Sequence, residues 1–308
     1  MGANISVIIP LYNSEDLIRE TLSSLICQSY TDFEVILVDD YSTDDTLSVV
    51  EPFIRSTTVK FKLFQNTIEK GLSNTLNLGL SKATGKYIAY TDHDDLSLPD
   101  RFNKQFYFLE KYQKIGVCGT WMKEFDQGND IWTYPIEHDD LIASSLLQSP
   151  IANPTAMYRR ELLQKHGITY NQKYDFAQDF AFWLDLATKT RFQVIPEVLV
   201  MYRVHSGNAS TTRRRAQYAS WEMAFEDKIS NKLLGKGLNK EELHILYNIK
   251  YPGFKEYYLK NKERVDKLVT KILDANQSRG VFSQKSLQRL FKKRLGRIAA
   301  GDLQNELE

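Results

Sequence analysis

An alternation of two periodicities runs through the first ninety residues of this chain and narrows its fold more than any other feature. Residues 4 to 10 (Asn-Ile-Ser-Val-Ile-Ile-Pro) form a β-branched, apolar run that Pro10 ends, the pattern of a strand buried on both faces. Ser14 then stands where a helix N-cap would, with Glu15 and Asp16 in the first turn and Leu17, Ile18, Leu22, Leu25 and Ile26 at helical spacing. A second strand, residues 33 to 38, runs into Asp39-Asp40, and Thr43 with Thr46 to Val50 begins a second helix. Val59 to Phe64, Leu72 to Leu80 and Tyr87 to Tyr90 continue as strand, helix and strand. Repeated β-α units predict a mostly parallel sheet with helices on both faces, whose ligands collect beyond the carboxyl ends of the strands.

The 308 residues allow one sizeable α/β core with an appendage, or two modest domains. From about residue 213 strand-like runs stop, and helical patterns such as Trp221 to Leu234 and Glu241 to Tyr247 are broken at Gly235-Lys236-Gly237 and Pro252-Gly253. Residues 213–308 are therefore expected to form a helical C-terminal extension. No stretch approaches the roughly eighteen consecutive apolar residues of a membrane span, and no basic segment ahead of a long apolar one marks a secretory leader. Cys27 and Cys118, the two cysteines, fit a reducing cytosol, and each is expected as a small core residue. A net charge of +1 gives no argument for a nucleic-acid partner, although basic residues cluster near 285 to 297.

The strand ends to inspect are Pro10 to Asn13, Asp39 to Ser42 and Thr91 to Asp95. Aspartates bunched at neighbouring strand ends repel one another, so the pattern asks for a cation or for hydrogen-bond donors on a ligand. In Tyr90-Thr-Asp92-His93-Asp94-Asp95, carboxylates at i and i+2 of an extended segment point the same way and can hold one hard divalent cation; equally, they can cap the helix announced by Pro99-Asp-Arg101. In Asp39-Asp40, one carboxylate can tie the loop to the next helix while the other accepts a hydrogen bond from a pyrimidine N3–H. Ser42 to Asp45 read as helix caps.

Five segments in order resemble the motifs of the family 2 glycosyltransferases: Val-Ile-Ile-Pro-Leu-Tyr-Asn at 7 to 13, the Val-Asp-Asp-x-Ser-x-Asp-x-Thr run from Val38, Lys70-Gly71-Leu72 through Asn77-Leu-Gly79, Gly85-Lys-Tyr-Ile, and Thr91-Asp-His-Asp-Asp with Pro99-Asp-Arg101. Further on, Asn153 to Arg160 is similar to the acceptor-side strand, Gln178-Asp179 to the catalytic Glu-Asp pair with Gln in place of Glu, and Tyr202-Arg-Val-His205 to a late metal-site motif. The resemblance covers residues 4 to 212 and implies an α/β fold of the GT-A kind, a nucleotide-diphospho-sugar transferase with a mixed, Rossmann-like sheet flanked by helices. It implies a nucleotide-binding half at 1–98 and an acceptor-binding half at 99–212, making 1–212 the transferase domain. It implies a UDP-sugar donor contacted by Pro10, Tyr12, Asn13, Asp40, Lys70, Asn74, Asp92 and His93, with Asp40 on the uracil. It implies Mn²⁺ or Mg²⁺ held by Asp92, Asp94 and His205, and Asp179 as the base of an inverting transfer to a saccharide or lipid-linked acceptor. Without it, Asp179 reads as a helix cap or ion-pair partner and His205 as a loop histidine.

An inverting transfer needs a stabilised diphosphate leaving group and a base for the acceptor hydroxyl, held in line across the anomeric carbon. Phe180, Phe182 and Trp183 beside Asp179 would raise its pKa by desolvation. Trp121, Trp132, Tyr134, Tyr158 and Trp183 are candidates for stacking on an acceptor sugar, though most aromatics must be core. In residues 283–298, Leu287, Leu290, Phe291, Leu295 and Ile298 share one helical face, with Arg289, Lys292, Lys293 and Arg297 off it. Such a helix can lie on an anionic membrane surface, or pack on its own domain or on a second subunit as a homo-oligomer. The expected location is cytoplasmic, alone or peripheral at the inner face of the cell membrane, in bacterial surface polysaccharide or oligosaccharide synthesis. Nucleotidyltransferases are disfavoured because no glycine-rich loop follows the first strand, and a catalytically inactive nucleotide-sugar or glycan-binding protein of the same fold is the alternative.

Overall fold

The computed structural model describes residues 2–56, 59–208, 212–235, 237–251 and 253–300. Lys236 and Pro252, within the two expected helix breaks, lie outside these, as do 209–211 and 301–308. Nine strands form one sheet: β1 Ile5–Leu11, β2 Phe33–Asp39, β3 Lys60–Gln65, β4 Tyr87–Tyr90, β5 Leu96–Ser97, β6 Ile115–Asp126, β7 Ile131–Trp132, β8 Met157–Arg159 and β9 Arg191–Val204. Their order is β3-β2-β1-β4-β8-β6-β9-β5, with β7 paired to β6. The first four are parallel, as β-α repetition requires. Beyond β4 the sheet becomes mixed, because β8 runs antiparallel to both β4 and β6, and β5 antiparallel to β9.

The helices of the first half are α1 Ile18–Ile26, α2 Thr46–Ser56, α3 Leu72–Lys82 and α4 Arg101–Lys111. The N-cap of α1, expected at Ser14, is displaced by three residues to Leu17. The Ser14 carbonyl closes a turn with the N–H groups of Leu17 and Ile18, and its Oγ accepts from Tyr12 N–H. Meanwhile its own N–H donates to Thr46 Oγ1 at 2.6 Å and Glu15 N–H donates to Asp44. In return Asp45 N–H donates to Glu15. Glu15, assigned to one helix start, thus ties two loops together. Cys118 is buried as expected, whereas Cys27 is exposed, at the end of α1.

Two motif glycines mark places where no side chain fits. A Cβ on Gly85 would lie 2.6 Å from Ser6 N, and one on Gly79 would lie 2.6 Å from Ile8 Cγ2. Both contacts let the β4 segment and α3 press directly on β1. At the same seam Glu34, almost wholly buried, accepts from Ser6 Oγ, from Thr84 N–H and Oγ1, and from Lys62 Nζ.

The second half carries α5 His138–Ser144, α6 Arg160–His166 and α7 Gln178–Ala187. After residue 213 come α8 Arg214–Phe225, α9 Asn231–Leu234, α10 Lys240–Asn248, α11 Phe254–Lys260, α12 Lys262–Arg279 and α13 Gln284–Ala300. A single π-helical turn, Glu226–Ser230, joins α8 to α9. These helices share one core with α5 and α7: Leu146, Leu147, Phe180 and Leu184 pack in the same cluster as Trp221, Phe225, Leu287 and Phe291. The apolar stripe of α13 is therefore spent on this chain, with Leu287, Phe291 and Ile298 at most 2% exposed. Among the described residues no helix is long and apolar enough to cross a membrane.

Burial alone would raise the Glu34 carboxyl, but Lys62, Thr84 and Ser6 outweigh it and bring its pKa down from 4.5 to about 2. A carboxyl depressed by folding stabilises the fold above its unfolded pKa and loses that contribution as pH falls through the folded one. Glu34→Gln is expected to cost roughly 1–3 kcal/mol at pH 6 in urea unfolding, with the gap to wild type closing between pH 4.5 and about 2. A gap that does not change over that range would contradict the assignment.

Candidate functional site

The carboxyl ends of the parallel strands are stitched edge to edge. Asp40 N–H donates to the Leu11 carbonyl, Asn66 N–H to that of Asp39 and Thr91 N–H to that of Ile8. The chain leaves each strand at the same rim, so the loops after β1, β2, β3 and β4 surround one crevice. Pro10 is buried inside β1 opposite Val38, and it shapes the rim from below. Tyr12 is half exposed beyond it, with Lys70 Nζ 3.6 Å from its ring centroid. Asn13, at φ 47°, accepts from Thr43 N–H through Oδ1. Tyr41 is held at φ 63° and is 44% exposed, a backbone state that costs a side-chain-bearing residue about 1 kcal/mol.

The paired aspartates of β2 divide as the sequence suggests in only one respect. Asp39 accepts from Ser42 N–H and so closes its own loop. Asp40 accepts from Asn66 Nδ2 at 2.8 Å and from Gly71 N–H at 3.0 Å, which ties β2 to the start of α3. Asn74 Nδ2 donates to the Glu69 carbonyl, so it shapes the Lys70 loop. Asp44 accepts from Thr46 N–H and Oγ1, the capping role read for this stretch.

The loop after β4 concentrates negative charge. Asp94 and Asp95 are buried, and Asp94 Oδ2 lies 3.0 Å from His205 Nε2 at the end of β9. His205 Nδ1 accepts from Gly207 N–H, which leaves Nε2 as the donor to Asp94. Asp95 Oδ1 accepts from Arg203 N–H, while its Oδ2 is buried with no partner among the described residues. Asp92 accepts from the Tyr90 hydroxyl. Burial, then the charge of Asp94, pushes the Asp92 carboxyl up from 3.8 to about 7, with Asp179 adding to the rise. Asp95 is raised as well, by burial and then by Asp92 and Asp94. Burial lowers the His93 imidazole below its ordinary value. Thus Asp94 and His205 meet directly and Asp92 stands apart on Tyr90. Among the described residues no three His, Cys, Asp or Glu side chains converge closely enough to hold a metal ion without moving.

Asp179 lies in the first turn of α7. Burial raises its pKa, and nearby backbone N–H groups offset this only in part. Its charge is felt at Asp92 and at the hydroxyls of Tyr90, Tyr134 and Tyr170. Gln178 is buried beside it with Oε1 unpartnered among the described residues. Of the aromatics proposed for an acceptor, Trp183 and Tyr158 are core. Trp121 lines a cavity instead, as does Tyr134, which is also part of the core.

Two arginines that the sequence reading left without roles hold this arrangement. Arg101 is fully buried and donates to Tyr90 O, Thr91 Oγ1, Ser97 Oγ and Gln105 Oε1. Arg203 donates to Asp94 O, Asp126 and Glu20, joining the acidic loop to β6 and α1. Both sit inside the motifs Pro99-Asp-Arg101 and Tyr202-Arg-Val-His205, and that place was the available signal.

A model of glycosyl transferase family 2 matches residues 6–167. An uncharacterized glycosyltransferase of Haemophilus influenzae is 33% identical over 225 residues, 69% of each chain. The Escherichia coli protein UDP-Glc:alpha-D-GlcNAc-diphosphoundecaprenol beta-1,3-glucosyltransferase WfaP is 29% identical over 218 residues, 68% of this chain and 80% of its own. The crystal structure of residues 1–349 of Staphylococcus aureus TarS in complex with UDP-GlcNAc superposes with a TM-score of 0.62 at 22% identity, over 99% of this chain and 89% of that one. The fold is of the GT-A kind, with its mixed sheet and a helical C-terminal region.

A carboxyl whose pKa is raised on folding is penalised when ionised, so the penalty is full above the folded value and fades as pH falls toward the unfolded one. Asp92→Asn keeps an acceptor for Tyr90 and removes the charge. In chelator at pH 8 it is expected to melt about 3 °C or more above wild type, and the two should converge as pH falls from about 7 toward 3.8. A lower melting point for the variant at pH 8 would show that the cluster is not strained by its charge.

Proposed function

The chain belongs to glycosyl transferase family 2, and on that premise we propose that it passes a sugar from a UDP-sugar to a hydroxyl of a saccharide or lipid-linked acceptor, with inversion at the anomeric carbon. The observation that carries this reading is one crevice rim holding the Asp92-Asp94-Asp95 loop with His205 and, within electrostatic reach, Asp179. TarS carries UDP-GlcNAc in its crystal structure, and WfaP is named for a UDP-Glc donor and a diphosphoundecaprenol-linked acceptor, which supports the choice of nucleotide and acceptor class.

Tyr12, Asn13, Asp40, Lys70, Asn74 and His93 are proposed to hold the nucleotide above Pro10. Asp40 is already committed to Gly71 and Asn66, and its remaining lone pairs are the ones open to a pyrimidine N3–H. The donor set suits a hard divalent cation: Asp92 and Asp95 are pushed toward protonation by burial and then by neighbouring carboxylates, and Arg101 offsets this only in part. Asp92, Asp94 and His205 are the residues that would hold Mn²⁺ or Mg²⁺, once Asp94 and His205 give up their mutual hydrogen bond. Such an ion supplies Lewis-acid neutralisation of the departing diphosphate. Asp179 takes the proton of the acceptor hydroxyl as that oxygen bonds to the anomeric carbon and the bond from that carbon to the UDP oxygen breaks. Its raised pKa suits this task, because a base nearer neutrality accepts the proton more readily. Residues 1–98, 99–212 and 213–308 serve in this reading as donor half, acceptor half and helical extension.

Calorimetry with UDP, with and without Mn²⁺, tests the donor site on wild type and Asp94→Ala. Tight binding is expected only with metal and only in wild type. Asp179→Asn is expected to keep UDP affinity while kcat falls about 10²–10⁴-fold. Binding indifferent to both metal and Asp94 would remove the metal from the reading. Nucleotide binding without turnover on any acceptor would turn it toward an inactive sugar-nucleotide or glycan binder.

A further inference from the structure

Four residues other than glycine hold a left-handed backbone among the described residues: Asn13, Tyr41, Asp126 and Phe176. Asn13 and Asp126 are of the polar types that accept this state, and each is tied by its side chain, Asn13 to Thr43 N–H and Asp126 to Arg203. Phe176 has the Arg213 guanidinium over its ring. Tyr41 differs from all three. Its hydroxyl makes no hydrogen bond and its ring meets no other ring or cation among the described residues, and it is 44% exposed.

The backbone on both sides of Tyr41 is pinned. Asp40 N–H donates to the Leu11 carbonyl, Ser42 N–H to Asp39, and Asn13 N–H to Ser42 Oγ at 3.1 Å. The left-handed state at φ 63° is thus imposed by bonds that join the loops after β1 and β2. Glycine or asparagine would take it at less cost, so the shape of the loop gives no reason for a tyrosine. Core packing gives none either, because the ring lies outside the core. A strained aromatic with no partner in its own chain is suited to one that arrives with a ligand.

Position indicates which part of the ligand that is. Asp40, the preceding residue, is the proposed acceptor for a pyrimidine N3–H, and consecutive Cα atoms lie only about 3.8 Å apart. A base held by its edge at Asp40 therefore has a face within reach of the Tyr41 ring. Tyr12, in the neighbouring loop, has one ring face taken by Lys70 Nζ, 3.6 Å from the centroid, and so has a single face to offer. We infer that Tyr41 is a positioning residue for the donor, packing its ring against the uracil of the bound nucleotide. The motif Val-Asp-Asp-x-Ser leaves this position open, since Tyr41 is its x. The inference rests on the transferase reading above for the nucleotide, and it can fail on its own.

The test titrates UDP and 5,6-dihydro-UDP, each with Mn²⁺, into wild type, Tyr41→Asn and Tyr41→Phe by calorimetry. The saturated ring of dihydro-UDP keeps the N3–H and has no π face. Asparagine takes the left-handed state readily, so Tyr41→Asn is expected to melt at or above wild type while binding UDP about tenfold or more weakly. Its loss on dihydro-UDP should be at most about threefold, and Tyr41→Phe, which keeps the ring, should stay within about twofold of wild type on UDP.

Equal UDP affinity in wild type and Tyr41→Asn overturns the inference. So does an equal loss on UDP and dihydro-UDP, which would make the effect one of loop shape. A loss in Tyr41→Phe as large as in Tyr41→Asn would give the contact to the hydroxyl and overturn the stacking. A melting point of Tyr41→Asn well below wild type would show that the ring supports the fold, with the same consequence. If wild type binds no UDP, the transferase reading fails, whereas UDP bound alike by wild type and Tyr41→Asn sinks this inference alone.

Discussion

A single guanidinium buried between the two halves of the sheet sets the position of everything at the crevice. Arg101 reaches the Tyr90 carbonyl at the end of β4, the hydroxyls of Thr91 and Ser97, and Gln105 on its own helix. Gln105 in turn donates to the carbonyls of Cys118 and Thr155, so the hydrogen-bond chain runs from the donor half into β6 and the turn before β8. Burial lowers the Arg101 pKa to about 10, still far above neutrality, and the charge is retained. A buried cation is costly unless its donors are met, and here they are met by groups that must also be fixed for the acidic loop to hold its shape. The nearby carboxylates Asp92 and Asp95 gain a partial counter-charge from the same group.

The crevice shows what a site costs a fold. Three carboxylates are gathered in one loop, two of them pushed toward protonation, and Asp95 keeps a buried oxygen without a partner among the described residues. Tyr41, in the loop after β2, is held in a left-handed backbone conformation. None of this benefits the unliganded chain. The strain is carried by strands β1, β2 and β4, whose fully buried Ile5, Val7, Val35, Leu37 and Ile88 supply the opposing stability. Loops that hydrogen-bond to one another as well as to their own helices, such as Glu15 with Asp45 and Ser14 with Thr46, join the rim without closing it.

The C-terminal helices have a comparable double use. Leu287, Phe291 and Ile298 complete a core begun by α5 and α7, while Lys293 and Arg297 on the same helix face the cavity beside Trp121. One helix is thereby fixed by its apolar side and offers its basic side to the acceptor half. This couples the helical region to the place where Asp179 sits, because α7 contributes Phe180 and Leu184 to that shared core.

The sequence by itself determined the elements of the first ninety residues and their parallel order, because strand burial and helical periodicity are local properties written in residue spacing. The ordered motifs likewise singled out the loop after β4, and Gly79 and Gly85 proved to be positions where backbone or side chain leaves no room for a Cβ. What only the tertiary structure decided are the choices among competing partners. Whether Ser14 caps its own helix or donates its N–H to a distant hydroxyl, whether Cys27 is inside or out, and whether the stripe of α13 covers a membrane or this chain's own core each depend on which groups arrive nearby. The direct meeting of Asp94 with His205, more than a hundred residues apart in the chain, belongs to the same class. Spacing along a sequence records which face a residue occupies, and proximity across the fold alone records what that face meets.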